Sequence, residues 1–368
     1  MSSYLSDREP HMRVLVTGAT GYIGSRLTPA LVADGHDLVA AVRKEGRIDR
    51  FAWADDVTKT LFDIEKPETV RTAVEGVDAV YYLVHSMASG DFVDKHRRAA
   101  ECVAQSAAAA GVSRLVYLSG LVPDGALSDH LRSRLEVEEV FLNSGVPAVV
   151  LRAAMVIGAG STSFELLRRL TERTPVTPVP RWMRSRVQPI AVQDVVHLLA
   201  RSLRGEPRNR HYDVGGDEQV SYPELLATFA RVAGLKRFRF FVPFVPTAVV
   251  GVLASWVTGM PRGTVTALVE SLHGDMVCAG DDVRSDIGAE HTYLSLDEAL
   301  RRSLSAVEQG TSRDADPQAP APTDPEWSGG AVTVDGDAVV QRPRTRIASL
   351  LLGFRTRRAV RRTPDRPV

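Results

Sequence analysis

Three glycines spaced three apart, Gly18, Gly21 and Gly24 in TGATGYIG, carry the clearest chemistry in this 368-residue chain. Gly18 permits a tight turn, Gly21 leaves the backbone open to a ligand, and Gly24 lets a following helix pack closely. The amides around them, those of Thr20, Tyr22 and Ile23 included, would converge with the positive end of a helix dipole on an anion, and a pyrophosphate fits that geometry. The alternative is a glycine turn that binds nothing.

A second strand, Asp37–Val42, ends in Arg43 and Lys44, with Arg47 nearby. A dinucleotide site for NAD(H) usually places an acid there to hold the ribose hydroxyls. Cations suit a 2′-phosphate instead, so this end favours NADP(H) over NAD(H). A solvated basic turn would look the same. Asp63 closes the third strand and could hold adenine. Leu83, Val84 and His85 close the fourth, where a nicotinamide would approach, although His85 and Ser86 could equally cap the next segment. Ser119 ends the fifth strand and Arg152 the sixth.

These residues need a scaffold that brings strand ends together. Arg13–Thr17 (RVLVT) is a β-branched apolar run expected as a buried strand, and the next segment places Ile23, Leu27, Ala30 and Leu31 on one helical face, with Gly35 as a stop. Further strands are expected near Lys59–Ile64, Asp78–Val84, Ser113–Leu118 and Pro147–Leu151, with an alanine-rich helix over Phe92–Ala110. Strands alternating with helices predict an α/β Rossmann fold, a doubly wound parallel sheet. In such sheets ligands lie beyond the carboxyl ends of the strands, where Gly18, Arg43, Asp63, His85, Ser119 and Arg152 all fall.

These motifs resemble the short-chain dehydrogenase/reductase superfamily in its extended or atypical branch. TGATGYIGSRL is similar to the branch's glycine motif and SRLVYLSGL to its fifth strand, with Ser119 in the active-site position. QPIAVQDVV, from Gln188, is similar to a segment in which an Asp such as Asp194 opens a helix, and HYDVGGDEQVSYPELL (His211–Leu226) to a C-terminal segment. YLVHSM (Tyr82–Met87), HLRSR (His130–Arg134) and LVESL (Leu268–Leu272) resemble a bacterial NAD(P)H-binding, epimerase-like subgroup. The resemblance runs from about residue 12 to about 305 and implies an atypical NADP-dependent oxidoreductase or epimerase-like enzyme acting on a small molecule. The superfamily's Tyr-x-x-x-Lys is missing: His130 stands in the Tyr position and Arg134 in the Lys position, four apart on one helical face. Either His130 trades the proton, as its reference pKa near neutrality allows, or the relay is lost. Loss of the relay would leave a non-catalytic NAD(P)H-binding regulatory or assembly protein. Arg132, Arg181, Arg184 and Arg186 form a second basic set suited to an anionic substrate, or are ordinary surface arginines.

Other classes fit poorly. Lys+Arg and Asp+Glu are equal at 45 each, which argues against a wholly basic nucleic-acid-binding domain. Two distant cysteines, Cys102 and Cys278, offer no zinc cluster and suit a reducing cytoplasm, and the first residues show no signal-like apolar run. No G-x-S-x-G elbow suggests a hydrolase. The Rossmann domain is expected over 12–205, completed by a smaller, mostly helical substrate or lid region over 206–308, whose helices open at Ser221 and Ser295. Phe240–Pro261 carries no charge; it could be buried core or a lid, an interfacial helix, or a span, and an apolar substrate would suit it as a lid. A flexible linker is expected over 309–345 and a basic tail over 346–368; from Arg342 to the end there are nine arginines and one Asp. Peripheral contact with the inner face of a membrane through 240–261 or 342–368 is the partner expectation beyond the small molecule.

Overall fold

The computed structural model describes residues 11–341 except 45, 47, 85–91, 126, 244, 271, 273, 290, 308–314 and 337. Arg47, His85, Ser86 and the basic tail therefore lie outside the described residues.

The chain opens as β1 (Arg13–Thr17), α1 (Tyr22–Ala33), β2 (Asp37–Val42), β3 (Thr58–Leu61), α2 (Pro67–Val74), β4 (Ala79–Tyr82), α3 (Phe92–Ala109), β5 (Arg114–Gly120), α4 (Asp129–Leu142) and β6 (Ala148–Ala153). There follow β7 (Met155–Ile157), α5 (Thr162–Arg173), β8 (Val176–Pro180), β9 (Arg186–Val187), β10 (Pro189–Ala191), α6 (Val192–Arg201) and β11 (Arg210–Val214). The described chain ends with β12 (Val220–Ser221), α7 (Tyr222–Val232), β13 (Phe238–Val242), α8 (Thr247–Thr258), α9 (Arg262–Glu270), α10 (Asp282–Asp286), α11 (Leu296–Ser303), β14 (Val332–Asp335) and β15 (Ala338–Gln341).

Seven parallel strands form the central sheet in the order β11-β6-β5-β4-β1-β2-β3. The order reverses at β1, so a crevice opens above its carboxyl end. Side chains alternate across the sheet. Val14, Val16, Tyr81, Val116 and Leu151 pack under α1 and α6, through Leu27, Leu31, Val195 and Leu199. Leu15, Val80, Tyr82, Tyr117 and Val150 pack under α2, α3 and α4, through Val70, Val103, Val137 and Phe141. Both faces of the inner strands β1, β4, β5 and β6 are covered, which is why they are largely apolar, whereas the edge strand β3 is mostly exposed.

A third core joins α5, α7, α11 and β14 through Phe164, Phe229, Leu300 and Val332. The helix starts expected at Ser221 and Ser295 are observed: each hydroxyl accepts an amide three residues on, and Glu224 closes a capping box. Asp194, in the first turn of α6, is fully buried and accepts hydrogen bonds from the His291 ring (2.8 Å) and the Leu294 amide (3.2 Å), tying α6 to the loop before α11.

Residues 315–341 correct the linker expectation. Gln318 is completely buried; its amide donates to the carbonyls of Ile157 (2.9 Å) and Ala299 (3.1 Å). Arg26 on α1 pairs with Asp324 at 2.8 Å, both nearly buried, and donates to the Pro317 carbonyl. The amides of Gly329 and Ala331 donate to Glu165 and Glu172 on α5, and Val332 and Val334 enter the third core. A polar segment docks here because body side chains partner its backbone and its few polar groups.

The uncharged stretch from Phe240 is not wholly core. β13 is exposed along nearly its whole length, and α8 buries only one side. Among the described residues, no helix is long and apolar enough to cross a membrane.

Candidate cofactor and active site

The glycine turn leaves β1 and enters α1 with no room for a Cβ at Gly18 or Gly24. Gly18 has φ +71°, a conformation that disfavours any Cβ. A Cβ on it would stand 2.8 Å from the Leu83 carbonyl oxygen, and one on Gly24 would stand 2.2 Å from the Gly18 carbonyl oxygen. Gly21 caps α1, is exposed, and donates its amide to Gly18 at 2.8 Å. No acid sits in the first turn of α1 and no side chain caps it, so its amides face outward beside the helix dipole.

The turn is contiguous with the exit of β4. Thr17 donates its hydroxyl to the Tyr81 carbonyl (3.0 Å) and accepts the Leu83 amide (3.1 Å), placing Leu83 and Val84 beside Gly18. Arg43 and Lys44 lie exposed at the end of β2. Asp63 accepts the Glu65 amide at 3.1 Å, and its backbone is bracketed by the Thr69 hydroxyl, so it also holds its own loop. The Tyr22 side chain turns into the body: a Cβ on Gly158 would meet its hydroxyl at 2.2 Å, and Arg26 stacks on its ring at 4.3 Å. Any ligand contact from Tyr22 is therefore through its backbone.

His130 and Arg134 meet on α4, and Arg134 reaches the end of β5, the strand that carries Ser119. Ser119 is 2% exposed and shares its sheet face with Tyr117. Arg134 Nη1 donates to the Leu118 carbonyl at 3.0 Å. Gly120 makes this close approach possible, since a Cβ there would press on Leu131 (2.9 Å) and Arg134 (3.2 Å). Burial, then the Arg134 cation, then His96 push the His130 pKa down to about 3. Its imidazole is neutral throughout the physiological range, contrary to the reference behaviour that made it attractive as a proton donor.

His96 is the neighbour that sequence reasoning missed. It lies on α3, 6% exposed, with Nδ1 at 3.1 Å from the Ser133 hydroxyl, and burial followed by Arg134 lowers its pKa. Only the packing of α3 on α4 brings it to His130, so nothing in its local sequence signals it. Arg152 is committed elsewhere: it holds the buried Glu138 in a bidentate pair at 3.0 Å. The second basic set does not share one partner. Arg132 pairs with Asp129, Arg184 lies 4.4 Å over the Phe241 ring, and Arg186 donates to the Gln219 carbonyl.

A parallel sheet of this order, with a glycine cradle at its reversal point that any Cβ would fill, defines a nucleotide-binding Rossmann protein. Residues 18–183 match a family described as NAD(P)H-binding. The chain is 30% identical over 231 residues to the (4-alkanoyl-5-oxo-2,5-dihydrofuran-3-yl)methyl phosphate reductase of Streptomyces griseus subsp. griseus, covering 60% of this chain and 74% of that protein. It is 28% identical over 190 residues to the ceramide reductase of Caulobacter vibrioides, covering 50% of this chain but only 59% of that protein. The Citrobacter sp. triphenylmethane reductase crystallised with NADP(H) superposes with a TM-score of 0.64 at 21% identity, over 79% of this chain and 100% of that one, which establishes the fold. The chain belongs to the NAD(P)H-binding, atypical short-chain dehydrogenase/reductase superfamily.

Proposed function

We propose that the protein is an NADP(H)-dependent reductase of a conjugated carbonyl compound bearing an apolar chain. The observation that carries this reading is the neutral, buried His130 where the superfamily keeps its proton donor. A nicotinamide held there would supply the hydride. When hydride reaches the β-carbon of a conjugated carbonyl, the electron pair of the C=C bond moves onto the oxygen and leaves an enolate. That anion is delocalised and takes its proton from water, so no protein acid is required. A simple ketone would give a localised alkoxide and would need one.

In this scheme the Ser119 hydroxyl donates to the substrate oxygen, and the Arg134 cation beside it stabilises the developing negative charge. Neutral His130 orients rather than protonates. Arg43 and Lys44 hold the 2′-phosphate and Asp63 the adenine, while the backbone of Gly18 to Gly24 and of Leu83 and Val84 lines the dinucleotide. The names of two relatives bear on this substrate class: one describes an alkanoyl-bearing dihydrofuranone phosphate, which is a conjugated carbonyl, and the other a ceramide, which supports the apolar chain alone. An anionic group on the substrate would meet the arginines at 181–186.

NADPH oxidation with matched enones, quinones and saturated ketones tests the scheme. Enones or quinones are expected to turn over and saturated ketones not. Ser119→Ala should lower kcat/KM by about 10²-fold, as loss of an oxyanion donor does. In the same assay Arg43→Ala should weaken NADPH about tenfold and leave NADH nearly unchanged; equal loss for both removes the 2′-phosphate assignment. The second reading, a non-catalytic NAD(P)H-binding regulatory or assembly protein, draws on the same missing relay. Tight NADPH binding without turnover across the panel would favour it.

A further inference from the structure

We propose that β13 and α8 form a face that rests on an anionic lipid bilayer. α8 is apolar on all sides, yet only half of it is covered. Val250 and Ala254 pack against Leu166, Val265 and Val269. Val249, Val252, Leu253 and Trp256, at helical spacings of three, four and seven, form an opposite stripe that is 47%, 40%, 56% and 81% exposed. An all-apolar helix is normally buried, so this stripe requires a partner. The strand before it continues the surface: Phe238, Phe240 and Phe241 are each at least half exposed.

Charge selects the partner. Residues 236–269 contain four cations and no acid, and so do residues 173–193, which supply the neighbouring β8 and the turn at 181–184. Arg181, Arg184, Lys236, Arg239 and Arg262 are exposed around the apolar stripe. Of the two acids that border this region, Glu172 is buried and paired with Arg168, and Glu270, the last residue of α9, is exposed, so the cations outnumber the exposed acid. Aromatic and aliphatic side chains ringed by Lys and Arg, on a helix of 12 residues, match the interface of an anionic membrane. The helix is too short to span a bilayer and lies along it.

The face adjoins the candidate site. Trp182 packs in the α8 cluster and donates its indole N–H to the Val245 carbonyl (3.0 Å), whereas Met183 packs with Leu121 and Leu131 at the start of α4. A membrane-dissolved substrate would leave the lipid beside the residues that receive it. This places the protein at the cytoplasmic leaflet, where anionic headgroups concentrate. The proposal stands apart from the reductase reading, because its test needs no turnover.

Flotation of the full chain with phosphatidylglycerol-containing vesicles, and with phosphatidylcholine alone, provides the test. The chain should float with the anionic vesicles, less at high salt and little with the neutral ones. The double variant Leu253→Ser/Trp256→Ser should partition about tenfold less or weaker still, with an unchanged melting temperature and unchanged stabilisation by NADPH. Tryptophan emission should shift to the blue on adding anionic vesicles, and Trp256→Phe should remove the shift while retaining binding. No flotation overturns the proposal, as does flotation that the double variant leaves intact. Light scattering that shows a dimer dissociated by the same double variant, without vesicle binding, would make the face a contact between copies and equally overturn it.

Discussion

Two segments of the C-terminal half reverse what hydropathy suggests. Residues 315–341 are rich in Pro, Asp, Gly and Ala, yet Gln318 and Asp324 are buried against α1 and α11. Phe238 to Trp256 is mostly aromatic and aliphatic, yet it holds the most exposed large apolar side chains among the described residues. Hydropathy measures what a side chain would gain from burial; partners decide whether burial happens. Arg26, Glu165, Glu172 and Gln193 supply those partners for the polar strap, whereas among the described residues no element faces the outer side of α8.

The sharpest way to break this contrast is Asp324→Ala. It leaves the Arg26 guanidinium buried without its counter-ion and should cost about 3–5 kcal/mol in urea unfolding. A loss below ~1 kcal/mol would mean that the strap does not depend on its ion pair. Replacing both partners by apolar residues, Arg26→Met with Asp324→Leu, should recover most of the loss.

His130 extends the contrast to a polar group that the fold keeps uncharged. Its folded pKa of about 3 lies below the unfolded value near 6.5, so the unfolded chain takes up a proton that the native state refuses. Its contribution is complete above pH 6.5 and declines as the pH falls toward 3. His130→Gln should flatten the acid limb of stability by up to about 1.4 kcal/mol per pH unit in that window. An unchanged slope would show that the imidazole is not held neutral.

The smallest effect is expected at the most apolar site. Trp256→Ser should change stability by less than about 0.5 kcal/mol, because the side chain is already in water. A cost of ~2 kcal/mol or more would show that α8 is covered in solution, and the two segments would no longer be opposites.

Much of the N-terminal half was legible from local pattern. β1, the glycine turn and α1 follow from a β-branched run meeting TGATGYIG, and the Ser221 and Ser295 caps from hydroxyls three residues before Glu. The expected third and fourth strands ran two to three residues too long at their carboxyl ends, since residues past a strand end remain apolar while they line the crevice. Within the candidate site, Ser119 was named from the resemblance of the fifth strand and Arg134 from its place four residues after His130. The neutral state of His130 was not legible, because it comes first from burial, then from Arg134 and from His96, which lies more than 30 residues away in sequence.

The sequence alone determined the alternating strands and helices of the N-terminal half, their parallel arrangement and the bare backbone at the first turn, because periodicity, glycine and capping act over a few residues. Tertiary structure alone decided that Arg152 serves Glu138, that Tyr22 turns inward, that a proline-rich strap is docked and that an apolar helix is left half uncovered. Each of those outcomes depends on which distant group arrives beside it, and no local pattern encodes that arrival.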